Sequence, residues 1–180
     1  MYNEQWRATT ILCIRTGDTV AMGGDGQVSL GDTIIKSNAT KIRRVYNDQV
    51  LVGFAGSAAD AFALLEKFEL QLEQYSGDIQ RASVELAKLW RTDKMLRQLE
   101  AMLIAANKEH TLIISGNGNV LEPEDHIASI GSGSPYAKAA ALAFMECDNS
   151  LRAKELVQKS LDIAARICIY TNHNITIEEL

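Results

Sequence analysis

The 180-residue chain reads as an α+β protein, a four-layer αββα sandwich of two stacked antiparallel sheets flanked by helix pairs. Three observations lead there. The elements run strands, two helices, strands, two helices, strands, and two consecutive helices are too many for a βαβ unit. The strands are joined by short turns such as Thr16-Gly17-Asp18 and Gly116-Asn117-Gly118-Asn119, which make antiparallel hairpins. The first strand, Thr9 to Arg15, has Ile11 and Cys13 on one face and Leu12 and Ile14 on the other. It is apolar on both sides, as a central strand of a sandwich is.

Each element follows from its local pattern. Thr19–Met22 returns as the hairpin partner of the first strand, and Gly23-Gly24-Asp25-Gly26-Gln27 follows as a glycine loop. Residues 28–31 and 33–36 are short extended pieces. Lys41–Tyr46 alternates charge and hydrophobe, a half-buried strand, and Gln49–Gly56 is a strand ending in glycines. The period then changes to 3.6. Ser57 with Asp60 forms a capping box, and Ala58, Ala61, Phe62, Leu65, Phe68 and Leu72 form one apolar stripe. Ser76-Gly77-Asp78 breaks that helix. A second runs from Ile79 to about Leu99, with Ile79, Ala82, Leu86, Leu89 and Trp90 inward. Strands follow at 101–106, 111–115, 120–121 and 127–130. Gly131-Ser132-Gly133-Ser134-Pro135 opens an alanine-rich helix, Tyr136–Met145, whose small face is Ala139, Ala140 and Ala143. Ser150 caps a last helix with the stripe Ala153, Leu156, Val157, Ser160, Leu161 and Ala164. Ile167–Thr171 and Ile175–Ile177 close the chain as strands.

Composition narrows the function. Hydrophobic residues make up 47% and the net charge is −5, which argues against nucleic acid as a partner. There is no apolar run long enough to span a membrane, and the polar stretch Met1–Arg7 lacks the apolar core of a secretory signal. Cys13, Cys147 and Cys168 are an odd number without CxxC spacing, the usage of a reducing cytoplasm. The three histidines are far apart, so no metal cluster is expected.

A Thr9-Thr10 pair at the head of a buried strand, behind a short polar leader, is either β-propensity or a threonine that becomes an N-terminus. In the second case its α-amine, with a pKa of about 7.7–8.0, takes the proton from its own hydroxyl. Asp25 is either a turn residue or a carboxylate brought back beside the first strand's end. Lys41, Arg43 and Arg44 are a nucleic-acid patch, a solvated strand face, or hold one lysine turned inward. The Gly-Ser loop 131–135 has the makings of an anion cradle at a helix N-terminus but lacks the ending of a P-loop, so no nucleotide site is expected on this chain.

Several stretches together resemble a known family. They are Ala8-Thr9-Thr10-Ile11, Gly24-Asp25-Gly26-Gln27, Lys41-Ile42-Arg43-Arg44, Gly53-Phe54-Ala55-Gly56, Trp90-Arg91-Thr92-Asp93, Ile130-Gly131-Ser132-Gly133 and Ile167-Cys168-Ile169-Tyr170-Thr171-Asn172. In this order and spacing they are similar to the HslV (ClpQ) type, the proteolytic subunits of bacterial two-component ATP-dependent proteases, related to proteasome β subunits. The resemblance implies an N-terminal nucleophile hydrolase fold, with residues 1–8 a propeptide and 9–180 a single peptidase domain. It implies Thr9 as nucleophile, Asp25 and Lys41 as its charged partners, a Gly56 N–H for the oxyanion, and Ser132 as the active-site serine. It implies a structural sodium ion on the carbonyls of Ala165, Cys168 and Thr171. It further implies a double ring of six-membered rings, and a hexameric AAA+ unfoldase, HslU (ClpY), that delivers unfolded protein substrates. Ser134 and Ala165 stand where the family more often has glycine. The alternatives are a non-catalytic ring subunit that keeps its leader, and an amidohydrolase of the same fold acting on a small molecule.

Overall fold

The structure is a computed structural model that describes residues 6–7, 9–96, 99, 101–147 and 150–180. One sheet has the order β11 (Ile127–Gly131), β2 (Thr10–Thr16), β3 (Thr19–Gly24), β12 (Thr176–Glu179). The facing sheet has the order β10 (Val120–Leu121), β9 (Thr111–Ser115), β8 (Ala101–Ala106), β7 (Val50–Gly56), β6 (Ile42–Val45). Neighbours pair antiparallel throughout. A small third sheet joins β1 (Trp6–Arg7), β4 (Val28–Leu30) and β5 (Thr33–Lys36), with Arg7 opposite Ser29.

Three apolar layers hold the sandwich. Ile11, Cys13, Met22, Leu51, Ile104 and Ile130 fill the space between the sheets. Helices α1 (Ala58–Gln74) and α2 (Ile79–Thr92) cover the second sheet through Phe68, Leu72, Leu86 and Trp90. Helices α3 (Ser134–Cys147) and α4 (Ala153–Ile167) cover the first through Ala137, Ala141, Leu156 and Leu161. Strand β2 therefore has core on both sides, as its sequence requires.

Local expectations differ in six places. Leu89 of α2, expected to point inward, is 36% exposed. Helix α2 ends at Thr92, not near Leu99. The Asp93 carboxylate accepts from the backbone N–H of Met95 (2.7 Å) and Leu96 (3.2 Å) and so competes with continued helix. Ile167–Thr171 is not a strand. Helix α4 runs to Ile167, Cys168 N–H bonds Ala164 and Thr171 N–H bonds Cys168, so this apolar run is a helix end and a turn, and β12 takes the sheet edge. The cap of α4 is Arg152 rather than Ser150, with the Glu155 carboxylate accepting from Arg152 N–H at 3.1 Å. Helix α3 packs through Ala137 and Ala141, while Ala139 and Ala143 face outward. Phe62, placed by its spacing in the α1 core stripe, is 55% exposed and stands at the mouth of a cleft.

Candidate active site

Two turns of chain carry the centre. The β2–β3 register sets Ile11 opposite Gly24, so the next residue, Asp25, returns beside Thr10. Its Oδ1 accepts from Thr10 N–H at 2.8 Å and its own N–H donates to the Thr10 carbonyl at 3.2 Å. Its Oδ2 accepts from the backbone N–H of Gln27 (2.9 Å) and Asn172 (3.2 Å). Lys41 enters just before β6 and turns inward. Its Nζ donates to Asp25 Oδ1 at 2.9 Å and to the Gln27 carbonyl at 2.6 Å. Burial pushes the lysine below its ordinary pKa, and Asp25 opposes that shift. Of the three basic residues in this stretch, one is inside. Arg44 pairs with Glu178, and Arg43 lines the cleft.

Thr9 stands at the head of β2, 2% exposed, and its φ is 111°, a region hostile to a β-branched residue. Its carbonyl accepts from Ser132 N–H at 2.9 Å. A Cβ added at Gly131 would lie 2.0 Å from that carbonyl oxygen, and Gly131 has φ +93°, so only glycine fits there. Ser132 thus reaches Thr9 through its backbone, while the residue itself is exposed. The expected anion cradle is filled from within. Ser132 N–H serves Thr9, and Gly133 N–H serves Thr10 Oγ1 at 2.9 Å.

Thr9 opens onto a cleft of about 630 Å³ whose walls include Lys41, Gly56, Phe54, Phe62 and Ile35. Gly56 ends β7 with φ 132°. The geometry therefore gathers Thr9, Lys41 and Gly56 on one cleft, with Asp25 behind the lysine and Ser132 behind the threonine.

Ala165, Cys168 and Thr171 lie on the last turn of α4 and the turn after it. The last four carbonyls of a helix lack partners within it, which leaves that of Ala165 as a donor to a hard cation. In the turn that follows, the Cys168 carbonyl accepts from Thr171 N–H at 3.1 Å. Among the described residues no group of His, Cys, Asp or Glu is arranged to hold a metal. The Thr171 hydroxyl lies 2.7 Å from that of Thr10, which ties this turn to the strand carrying Thr9. Sequence reasoning missed Thr10, Gln27 and Asn172 as parts of the centre. All are polar residues in ordinary loop or strand contexts, and only their burial and shared partners reveal them.

A family model described as proteasome subunit matches residues 6–180. The chain belongs to that family, and with it to the N-terminal threonine peptidases, a class of hydrolases. Its likeness is to the HslV type in particular. The crystal structure of eukaryotic HslV from Trypanosoma brucei is 48% identical, covers 95% of this chain and 98% of its own, and superimposes with a TM-score of 0.91. Thiobacillus denitrificans BPH shares the fold, in a complex with epoxomicin (20% identity, TM-score 0.73) and in a second structure (18%, TM-score 0.72). Each covers 95% of this chain and 97% of the other. No helix among the described residues is long and apolar enough to cross a membrane.

Proposed function

We propose that the chain is the proteolytic subunit of an ATP-dependent protease of the cytoplasm, with Thr9 as nucleophile once residues 1–8 are removed. The observation that carries the reading is the buried Lys41–Asp25 pair on the cleft that Thr9 heads. With the leader gone, the Thr9 α-amine takes the hydroxyl proton and Oγ attacks a peptide carbonyl. The Lys41 charge favours the alkoxide and keeps the amine neutral. Asp25 holds Lys41 in place, since an unpaired buried charge is costly. Gly56 N–H receives the oxyanion, an interaction worth about 3–4 kcal/mol. The amine proton passes to the leaving nitrogen, the C–N bond breaks, and an ester on Thr9 remains. Water activated by the same amine hydrolyses it. Ser132 fixes the Thr9 carbonyl and stands ready to orient a proton.

The leader bears on this reading. Trp6–Arg7 pairs with β4, and Val28 of β4 lines the cleft. While residue 8 is attached, Thr9 has an amide nitrogen and no base. The family likeness supports a double ring of six-membered rings around an inner chamber, served by a hexameric AAA+ unfoldase of the HslU (ClpY) kind that feeds in unfolded proteins. It also supports a sodium ion on the carbonyls of Ala165, Cys168 and Thr171, which would supply a fixed positive charge that firms the turn bearing Asn172.

The test is the intact mass of the purified, assembled protein together with a Thr9→Ala variant. Loss of residues 1–8 and an inactive, assembled Thr9→Ala are expected. A retained leader on an inert particle would favour the scaffold subunit instead, and normal hydrolysis by Thr9→Ala would end the mechanism.

A further inference from the structure

The Lys41 ammonium has three protons to donate, and two are committed, one to Asp25 Oδ1 and one to the backbone carbonyl of Gln27. The second partner is the shorter, at 2.6 Å against 2.9 Å. A loop carbonyl is a reliable partner only if its peptide unit is held, and Gln27 is held on every side. Its N–H donates to Asp25 Oδ2 at 2.9 Å. Its side-chain Nε2 donates to Ser29 Oγ at 3.0 Å and to the Ile169 carbonyl at 2.8 Å. The amide orientation is fixed by chemistry, because a backbone carbonyl only accepts. The residue is 3% exposed, so little water reaches its own side of these bonds.

We infer that Gln27 is a positioning residue of the threonine peptidase centre: its carboxamide, anchored between Ser29 of β4 and the turn after α4, holds the backbone carbonyl that fixes Lys41. Asp25 supplies the countercharge and Gln27 the direction. With two protons spent, the third remains for the cleft that Lys41 and Thr9 both line. Gln27 touches neither substrate nor Thr9 in this role and acts through the lysine alone. The inference rests on Thr9 and Lys41 acting as proposed above.

The test uses the assembled, leader-free protein and a fluorogenic peptide amide. Gln27→Leu removes both Nε2 donors at similar volume. The expected result is a fall in kcat of at least about tenfold with KM changed by less than about twofold, the pattern of a group acting on the chemical step. Gln27→Glu keeps the shape but turns an oxygen toward the Ile169 carbonyl, and should fall in the same direction. The decisive arm is the pair with Lys41→Ala. Residues that act as one unit are non-additive, so Gln27→Leu/Lys41→Ala should be no slower than Lys41→Ala alone. A double variant slower by the product of the two single effects overturns the inference. So does a Gln27→Leu enzyme with unchanged kcat, or one whose whole loss tracks a loss of folded protein in a thermal melt. A Thr9→Ala control separates the two readings. If Thr9→Ala still hydrolyses the peptide, the nucleophile assignment has failed. If it is inert and Gln27→Leu turns over normally, only the role of Gln27 has failed.

Discussion

Lys41 Nζ lies 2.9 Å from Asp25 Oδ1, with 4% of the lysine side chain and none of the aspartate side chain exposed. A pair this deep is dear to break from one side, because the survivor is left as an uncompensated charge. Lys41→Ala should cost about 3–5 kcal/mol of folding stability in denaturant titration, beyond its effect on hydrolysis. Asp25→Asn should be at least as damaging. Four N–H donors converge on the carboxylate, from Thr10, Gln27, Asn172 and Lys41, and an amide nitrogen would turn its own protons on one of them.

The lowered lysine pKa gives a pH signature. Burial shifts Lys41 below 10.5 in the folded chain. Between that lowered value and 10.5 the unfolded chain binds the proton and the folded chain does not. The lysine's contribution to stability therefore rises with pH across this window. Activity moves the other way, since the neutral amine no longer favours the Thr9 alkoxide. A pH–rate profile should show an alkaline limb below 10.5, and an active Lys41→Arg variant should carry that limb to higher pH. A limb unmoved by arginine would assign it to another group.

Gly56 and Gly131 should tolerate no side chain, for different reasons. Gly56→Ala places a Cβ on a residue with φ 132° and turns the N–H proposed for the oxyanion. Its kcat should fall about 10²–10³-fold with little loss of folded protein. Gly131→Ala drives a methyl into the Thr9 carbonyl and should displace the Ser132 loop, seen as a drop in both melting temperature and turnover.

Thiol chemistry should distinguish the cysteines. Cys13 is fully buried between the sheets and its thiol is pushed up to about 12 by burial. Cys147 is exposed. A native protein treated with iodoacetamide near pH 8 should label Cys147 within minutes and leave Cys13 unmodified until unfolding.

The large-scale fold is legible because its signals are redundant. Strand β2 is apolar on both faces, α4 has a clean stripe from Ala153 to Ala164, and each hairpin has its turn residues. The misreadings come where one signal had to serve alone. Ile167–Thr171 is apolar but leaves Ile169 74% exposed, so hydrophobicity there does not mean burial. Phe62 has the spacing of a core residue and faces the cleft instead, near Phe54 with ring centroids 6.4 Å apart. At the site, Thr9, Asp25 and Lys41 stand out as residue types with known chemistry. Gln27 does not, because a glutamine in a glycine loop has no pattern. Its place depends on Ser29 and on Ile169, 142 positions away, and such pairings exist only in the folded chain.

A torsion angle needs an atom on either side of its bond, and the φ of Thr9 borrows one of its atoms from the residue before it. Cutting the chain at that point would not relax the unfavourable angle to a better value. It would abolish the angle, since the first residue of a chain has none. The reverse step would have to rebuild the awkward torsion as well as the peptide bond. Maturation of this threonine would then behave as a ratchet, with the geometry of a single residue setting its direction.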